Sequence, residues 1–233
     1  MPTLLNKKLF TLFAFYIMHS IVSTTHAFDV DKVKAEITLE LSKDLNGSQK
    51  NKPILLLIGG YPGAGKTTLI HALLQNHDMA LISWNAIRQL LVDRRIKGSP
   101  FDWEIIEAVN RNLMRTCLQR QVNIVIDANA HAHNIQLFED LLKEECYQDT
   151  YRLVKICLNP PIETLLIRMR AREQKEGMHQ GTEKDLINDL YSAHKKIDMN
   201  NYSLIIKNDD ELPLDSELKI VNSYLESVCD NWK

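Results

Sequence analysis

One short segment of the sequence combines the residue types that can hold a phosphate group. Residues 60–67 read Gly-Tyr-Pro-Gly-Ala-Gly-Lys-Thr and follow the apolar run 54–58. Glycines leave backbone N–H groups open to an anion, and the lysine supplies a positive charge for the outer phosphates of a nucleotide. The pattern G-x-x-x-x-G-K-T between a strand and a helix is typical of nucleotide-binding loops. We call residues 60–67 the phosphate loop.

The loop and one acid further along the chain predict a nucleotide and metal site. Lys66 is predicted to neutralise the β- and γ-phosphates, and the Thr67 hydroxyl is predicted to ligate Mg²⁺. A further oxygen ligand usually comes from an acid at the end of a neighbouring buried strand, and Asp127 ends the apolar run 122–127. A helix cap without a metal is the alternative for Asp127. The predicted nucleotide-binding residues are Gly60, Gly63, Ala64, Gly65, Lys66, Thr67 and Thr68.

Apolar runs predict the strands and helices that position these residues. A continuous apolar run such as 54–58 is usual in a parallel sheet covered on both faces. Further strand candidates alternate with stretches of helical periodicity. This alternation predicts an α/β fold, a three-layer α/β/α sandwich around a mainly parallel five-stranded sheet with right-handed crossovers. The other strand candidates are residues 79–83, 122–127, 151–158 and 202–207.

The stretches between the strand candidates have the spacing of helices. Residues 175–181 carry two glycines between two such stretches and are predicted to form a mobile lid connection. The predicted helices are residues 30–45, 67–75, 86–96, 102–119, 133–145, 161–175, 182–196 and 216–228.

Size and charge exclude some classes of protein. The chain has 233 residues, of which 45% are hydrophobic and 25% charged, as expected for a globular protein with one core. The formal net charge is −2, and no long run of Lys and Arg is present, so generic nucleic-acid binding is not expected. The four cysteines form no C-x-x-C pair, which argues against a zinc site.

The first 27 residues differ in kind from the rest of the chain. Lys7 and Lys8 precede the apolar stretch 9–22, and small residues ending in Ala27 follow it. This order is typical of a secretory signal peptide. As a helix the apolar stretch would span about 21 Å, short of the roughly 30 Å hydrocarbon core, so no stable membrane span is expected. Residues 1–27 therefore predict export, with a cytoplasmic protein and an N-terminal helix as the alternative.

Four blocks of the sequence resemble the zeta-toxin and polynucleotide-kinase group of P-loop kinases, which have an AAA-type P-loop ATPase domain. The blocks are GGYPGAGKTT, LISWNAIRQLL, VNIVIDANAHAHN and LNPPIETLLIRMRAR, within residues 53–190. The resemblance implies a kinase domain at 53–233, after an N-terminal helix and linker at 28–52. It implies transfer of the ATP γ-phosphate, with Mg²⁺, to a hydroxyl of a small molecule such as a nucleotide sugar or nucleotide. An antitoxin-like partner is left open.

The resemblance also implies roles for three arginines. In this group an arginine that follows an acid by three residues holds substrate or phosphate, and Arg88 matches it. Lid arginines lie after the fourth strand, where Arg168 and Arg172 are four residues apart and hence on one helix face. A solvated basic face paired with glutamates is the alternative for these two residues. The predicted catalytic residues are Lys66, Arg88, Arg168 and Arg172.

The chain departs from the group at the expected general base. Asn85 stands where kinases with a D-x-x-R element carry the aspartate, and Ser83 stands where zeta toxins carry theirs. Loss of a general base typically lowers the rate by about 10²–10⁴. A nucleotide-binding module or switch without transfer chemistry is therefore the alternative function, and a GTPase is a weaker one. Asp93 and Asp102 are nearby acids that could replace the base, although each is more simply a solvated or capping residue.

Overall fold

The structure is a computed structural model in which the predicted signal peptide, residues 1–27, and most of the predicted lid connection lie outside the described residues. The side chains of residues 132–134, 175, 176 and 185 are also outside the description. In the part of the chain that is described, no helix is long and apolar enough to cross a membrane. The described residues are 29–96, 102–127, 132–176, 182–192 and 197–229.

Five strands form one sheet in which every neighbouring pair is parallel, in the order β2-β3-β1-β4-β5. The central strand β1 (Ile54–Gly59) is buried along its whole length, which explains its continuous apolar sequence. The predicted α/β fold with a parallel five-stranded sheet is therefore confirmed. The other strands are β2 (Ala80–Ser83), β3 (Ile124–Asp127), β4 (Arg152–Leu158) and β5 (Leu204–Ile206).

Helices cover both faces of this sheet. From β1 the chain runs outward to the edge strand β2 and then returns in the opposite direction through β3 and β4 to β5. Because crossovers between parallel strands are right-handed, the two directions lead to opposite faces of the sheet. The helices are α1 (Val30–Ser42), α2 (Lys66–Leu74), α3 (Trp84–Asp93), α4 (Asp102–Arg120), α5 (Ala132–Glu144), α6 (Ile162–Glu176), α7 (Glu183–Tyr191) and α8 (Leu214–Val228).

Helix α1 packs on the two helices that follow β2. Its Ile37 is fully buried, which places apolar area of α1 in the common core. Lys34 pairs with Glu104 of α4 at 2.6 Å, and Arg94, directly after α3, pairs with Glu40 at 2.6 Å. Exposed ion pairs contribute little, so the apolar contact dominates. The N-terminal helix thus supports α3 and α4.

The carboxyl ends of three strands meet at one edge of the sheet. In the pairing register, Asp127 at the end of β3 lies beside Ile58 of β1 and beside Ser83 of β2. The phosphate loop follows β1, and α3 follows β2. One buried carboxylate therefore lies between the phosphate loop and the first turn of α3.

Candidate active site

The phosphate loop makes a tight turn that requires glycine. Gly60, Gly63 and Gly65 have φ angles of 146°, 83° and 92°, in the region that side chains disfavour. A Cβ atom on Gly60 would lie 2.6 Å from the carbonyl oxygen of Leu158 in β4, so no larger residue fits there. Gly65 precedes α2, whose start has no side-chain cap. The amino end of α2 therefore offers backbone N–H groups to an anion.

Lys66 is held inside the loop by backbone carbonyl groups. Its Nζ donates hydrogen bonds to the carbonyl oxygens of Gly60 at 3.0 Å and Tyr61 at 3.1 Å. Burial lowers the pKa of Lys66 from 10.5 to about 8, although the negative charge of Asp127 opposes this shift. A polyanion in the loop would add to the negative charge of Asp127 and further stabilise the charged form of Lys66.

Thr67 and Asp127, the two predicted metal ligands, are in direct contact. The Thr67 hydroxyl donates a hydrogen bond of 2.9 Å to Oδ2 of Asp127, whose exposed fraction is 3%. A hydroxyl and a carboxylate are hard oxygen donors of the kind that Mg²⁺ prefers, and Mg²⁺ needs few protein ligands because it keeps water and phosphate oxygens. The donor set at this edge of the sheet therefore fits Mg²⁺.

Arg168 of α6 connects the phosphate loop to the segment after β5. Its Nη2 donates to the carbonyl oxygen of Asn208 at 2.9 Å and to Oδ1 of Asp210 at 3.0 Å, and its Nη1 lies 3.5 Å from the carbonyl oxygen of Gly63. The Asn208 side chain is buried and donates a short hydrogen bond to the carbonyl oxygen of Ala64. The turn of the phosphate loop is thus fixed from outside as well as by its own glycines.

The three arginines of α6 separate into two groups. Arg168 and Arg172 line the same cavity, and the positive charge of Arg172 contributes to the lowered pKa of Lys66. Arg170 instead forms a surface ion pair of 2.6 Å with Glu183 of α7. Arg170 therefore lies on the surface, while Arg168 and Arg172 lie near the phosphate loop.

Residues after β2 form the opposite side of the cavity. Ser83 caps α3, because its Oγ accepts a hydrogen bond of 3.4 Å from the backbone N–H of Ala86, and the helix therefore starts two residues earlier than predicted. Trp84 and Asn85 consequently lie in its first turn. Trp84, Asn85 and Arg88 all line the cavity. We call these three residues the α3 face.

The α3 face carries a cation that has no counter-ion among the described residues. The Arg88 guanidinium makes no hydrogen bond or ion pair with any residue that the structure describes, and burial lowers its pKa from the usual value. The sequence suggested two acids as replacement bases, and neither of these described residues pairs with Arg88. Asp93 accepts a hydrogen bond of 2.8 Å from Gln89, and neither Asp93 nor Asp102 is among the described residues that line the cavity.

The cavity itself has a volume of about 980 Å³ and joins the phosphate loop to the α3 face. This volume lies at the upper end of the range for small-molecule sites. Four cations, Lys66, Arg168, Arg172 and Arg88, line it together with four acids, Asp127, Asp209, Asp210 and Glu217, so positive charge is concentrated at the phosphate loop, on α6 and on the α3 face and not spread over the whole cavity. Sequence reasoning missed its wall after β5, which includes Asn208, Asp209, Asp210 and Glu217.

A buried acid belongs to this missed wall. Glu217 lies in the first turn of α8, and burial raises its pKa, opposed by the positive charge of Arg168 and a hydrogen bond from Asn208. The sequence did contain a signal for this wall, because the polar run Asn-Asp-Asp directly follows the last strand candidate. Loops after parallel strands meet at the carboxyl edge of the sheet.

The central strand, the phosphate loop and α2 together define a P-loop nucleotide-binding fold of the kinase type. A family model described as AAA domain matches residues 55–195. The chain belongs to this family, and the resemblance to P-loop kinases inferred from the four sequence blocks is confirmed. A search of curated proteins found no match.

Several solved structures share this fold. A protein from Chloroflexus aurantiacus described as a kinase has 17% identity, with 77% of this chain and 99% of that chain covered and a TM-score of 0.55. The APS kinase CysC of Mycobacterium tuberculosis, solved with AMPPNP and APS, has 15% identity, coverage of 76% and 99%, and a TM-score of 0.51. The PezAT toxin-antitoxin system of Streptococcus pneumoniae has 17% identity, coverage of 68% and 68%, and a TM-score of 0.50. At these identities the similarity concerns the fold alone.

Proposed function

We propose that this chain transfers the γ-phosphate of ATP to a hydroxyl group of a small molecule. The observation that carries the proposal is the single cavity that the phosphate loop shares with the α3 face. A protein that binds a nucleotide and transfers no phosphate needs only the phosphate loop. The α3 face would provide a separate place for the molecule that receives the phosphate, with a cation that no described residue pairs.

In this proposal the phosphate loop binds the nucleotide phosphates. The backbone N–H groups at the start of α2 point toward the anion, and Lys66 exchanges its bonds to the carbonyl groups of Gly60 and Tyr61 for bonds to the β- and γ-phosphates. Thr67 and Asp127 would hold Mg²⁺. The bound ion would neutralise the charge of the phosphate oxygens.

The transferring phosphoryl group would meet the arginines of α6. Phosphoryl transfer depends mainly on positioning and on charge stabilisation, and an arginine near the transferring group supplies both. Arg168 and Arg172 would take this role and Arg88 would hold the acceptor, which is supported by the position of all three in the lining of the cavity. A nucleotide sugar or a nucleotide is the acceptor class that the P-loop kinase resemblance favours.

A transfer screen tests the proposed reaction. Purified protein is incubated with γ-³²P-labelled ATP and a panel of sugars, nucleotide sugars, nucleotides and RNA 5′ ends, with Mg²⁺ or with EDTA. We expect a labelled acceptor that forms only with Mg²⁺. Thr67→Val removes the hydroxyl while it keeps a similar shape, so this variant should lose most of the Mg²⁺-dependent product. No labelled product from any acceptor would contradict the proposal.

A second candidate function is a nucleotide-binding module or switch. The observation in its favour is the residue pair Ser83 and Asn85, which leaves no carboxylate on the described residues directly after β2. In the same screen, nucleotide binding without transfer to any acceptor would favour this module.

We further propose that the protein is exported, on the strength of the order of charged, apolar and small residues within 1–27. Cleavage after Ala27 would give a mature chain that starts at Phe28. Mass spectrometry of the N-terminus of protein expressed in its full length measures this directly. An intact Met1 in soluble protein would exclude cleavage and favour the cytoplasmic alternative.

A further inference from the structure

The amide side chain of Asn208 joins the segment after β5 to the phosphate loop. Asn208 is buried, and its Nδ2 donates a hydrogen bond to the carbonyl oxygen of Ala64 inside the loop. The contact is close, because a Cβ atom on Gly65 would lie 3.0 Å from the same Nδ2 atom. Gly65 therefore has two reasons to be glycine, its φ angle of 92° and the space that Asn208 occupies.

The orientation of this amide is determined by its surroundings. The Glu217 carboxylate accepts a hydrogen bond from the Asn208 side chain, so two acceptor groups face the amide nitrogen. Turning the amide over would bring its oxygen against both of these acceptors. The Asn208 Oδ1 atom is buried and bonds to no described residue, so the contacts of Nδ2 alone decide the orientation.

The main chain of Asn208 is held as well as its side chain. Arg168 of α6 donates to the carbonyl oxygen of Asn208 at 2.9 Å, and the same guanidinium donates to Asp210 at 3.0 Å. Asn208 follows the end of β5 by two positions, and β5 pairs with β4 in the sheet. An amide anchored by the sheet, by α6 and by α8 can hold the Ala64 carbonyl group in one position.

A fixed carbonyl group at Ala64 also fixes the N–H of Gly65. The two groups belong to one planar trans peptide and point in opposite directions. Glycine adopts φ angles of either sign, so the peptide before Gly65 could rotate if nothing held its carbonyl group. The hydrogen bond from Asn208 to this carbonyl group therefore points the Gly65 N–H away from Asn208.

The N–H groups of Ala64 and Gly65 differ in what they can bind. The Ala64 N–H donates to the carbonyl oxygen of Tyr61 at 3.1 Å and is used within the turn. Among the described residues, no carbonyl group accepts a hydrogen bond from the Gly65 N–H. Gly65 directly precedes α2, whose start has no side-chain cap, and N–H groups at such a helix start bind anions. The Gly65 N–H is thus available to a phosphate group.

We propose that Asn208 is a positioning residue of the phosphate loop, which directs the Gly65 N–H to the nucleotide phosphates by holding the Ala64 carbonyl group. Asn208 acts through the loop and not through a phosphate contact of its own. Its effect on nucleotide affinity rests on the proposed function, whereas its hold on the peptide between Ala64 and Gly65 does not. The wall after β5 thereby controls how well the phosphate loop binds.

A single NMR signal reports on this peptide. The dipeptide Ala-Gly occurs once in the sequence, so labelling with carbonyl-¹³C alanine and ¹⁵N glycine gives one signal that joins the Ala64 carbonyl carbon to the Gly65 N–H. In the wild type we expect this signal to move when AMPPNP and Mg²⁺ are added. In nucleotide-free Asn208→Leu the Ala64 carbonyl carbon should shift upfield, because it loses its hydrogen bond. Calorimetry on this variant should give a Kd for AMPPNP about 3–10-fold higher.

A matched control separates positioning from stability. Asn110 of α4 is likewise buried, its Nδ2 donates to the carbonyl oxygen of Ile106 at 2.8 Å, and its Oδ1 also bonds to no described residue. Asn110→Leu should therefore affect thermal stability in a similar way and leave the NMR signal and the Kd unchanged. Asn208→Ser is too short to reach Ala64 and gives the same test if Asn208→Leu does not fold. An unchanged Ala64 signal in the Asn208 variants, or an equal rise of Kd in Asn110→Leu, would overturn the inference.

The positioning role and the proposed function can be told apart when one fails. If the wild type binds no AMPPNP, the proposed function and the role of Asn208 in nucleotide binding are both wrong, and a shifted Ala64 signal in Asn208→Leu supports only the contact. If the wild type binds AMPPNP and the Gly65 signal does not move, the proposed function is retained and the positioning role is wrong. An unchanged Kd in Asn208→Leu leads to the same conclusion.

Discussion

The phosphate loop and the α3 face line the same cavity but differ in how their polar groups are satisfied. In the loop, Lys66 donates to backbone carbonyl groups, and Thr67 donates to Asp127. On the α3 face, the Trp84 indole N–H and the Arg88 guanidinium bond to nothing in the described protein. The Lys66 and Thr67 side chains are hydrogen-bonded without a ligand, whereas the two donors of the α3 face bond to no described residue.

This difference indicates how the phosphate loop and the α3 face each gain binding free energy from a ligand. A nucleotide must displace hydrogen bonds that the loop already has, so the net gain comes from charge and from many aligned N–H groups. A ligand on the α3 face displaces no described partner of Arg88, which is half-buried and lines the cavity. Weak ligands of the right charge should therefore be detectable on the α3 face.

The largest expected effect tests the phosphate-loop side of the cavity. Arg168→Ala should lower kcat for phosphoryl transfer by about 10³, the lower end for an arginine that stabilises the transferring group. Single-turnover kinetics with labelled ATP measures this rate. Arg170→Ala is the matched control, because Arg170 lies two residues away and pairs with Glu183 on the surface. Equal losses in the two variants would contradict a catalytic role for Arg168.

The next largest effect tests the α3 face. Asn85→Asp places a carboxylate where related kinases carry the base, and we expect the transfer rate to rise by at least about 10². Gln89→Glu adds the same charge one turn later on the same cavity wall and controls for charge alone. Initial rates at saturating ATP measure both. Tight nucleotide binding with no gain in Asn85→Asp would favour the module without transfer chemistry.

A smaller effect concerns nucleotide binding by the phosphate loop, measured without phosphate transfer. Lys66→Ala should raise the Kd for AMPPNP about 10–100-fold, since hydrogen bonds to charged groups contribute about 1.5–3 kcal/mol. Calorimetry measures this Kd. Lys155→Ala is the control, because Lys155 pairs with Glu139 at 2.8 Å and does not line the cavity. Unchanged affinity in Lys66→Ala would exclude the loop as the phosphate site.

The smallest effect is a pH dependence of nucleotide binding. The pKa of Lys66 is about 8 without ligand, and a bound polyanion favours its charged form, so affinity is highest below pH 8 and falls above it. By proton linkage, Kd for AMPPNP should rise about fourfold from pH 7 to pH 8.5. Calorimetry in buffers of different ionisation enthalpy should show proton uptake near pH 8. Lys66→Ala should abolish both effects, and a pH-independent Kd in the wild type would argue against the shift.

The fold could be predicted from the sequence because its signals are local. Each of the five strands lies within an apolar run of the sequence, and the complete burial of β1 and β3 in a parallel sheet requires such runs. Helix ends were less accurate where a cap decides them. The spacing of apolar residues did not show that Ser83 caps α3, and so Trp84 and Asn85 were placed before the helix and not in its first turn.

The candidate site was predictable only in part, for a physical reason. The phosphate loop is contiguous, and Asp127 was found because an acid ends a buried strand. The bonds from Arg168 to Asn208 and Asp210 join residues about 40 positions apart, and no local pattern encodes such pairing. The missing partner of the Trp84 indole is likewise a property of the packed structure, since sequence alone fits either stacking on a ligand or core packing.

The packing of α1 determines which parts of the molecule support each wall of the cavity. Because α1 contacts α3 and α4 and its Ile37 is fully buried in the core, it supports the helices that carry Trp84, Arg88 and Trp103. The turn of the phosphate loop is fastened instead by Arg168 and Asn208, on the far side of β1. The two walls of the cavity thus have separate supports, and loosening of the N-terminal helix would disturb the α3 face before it affected the phosphate loop.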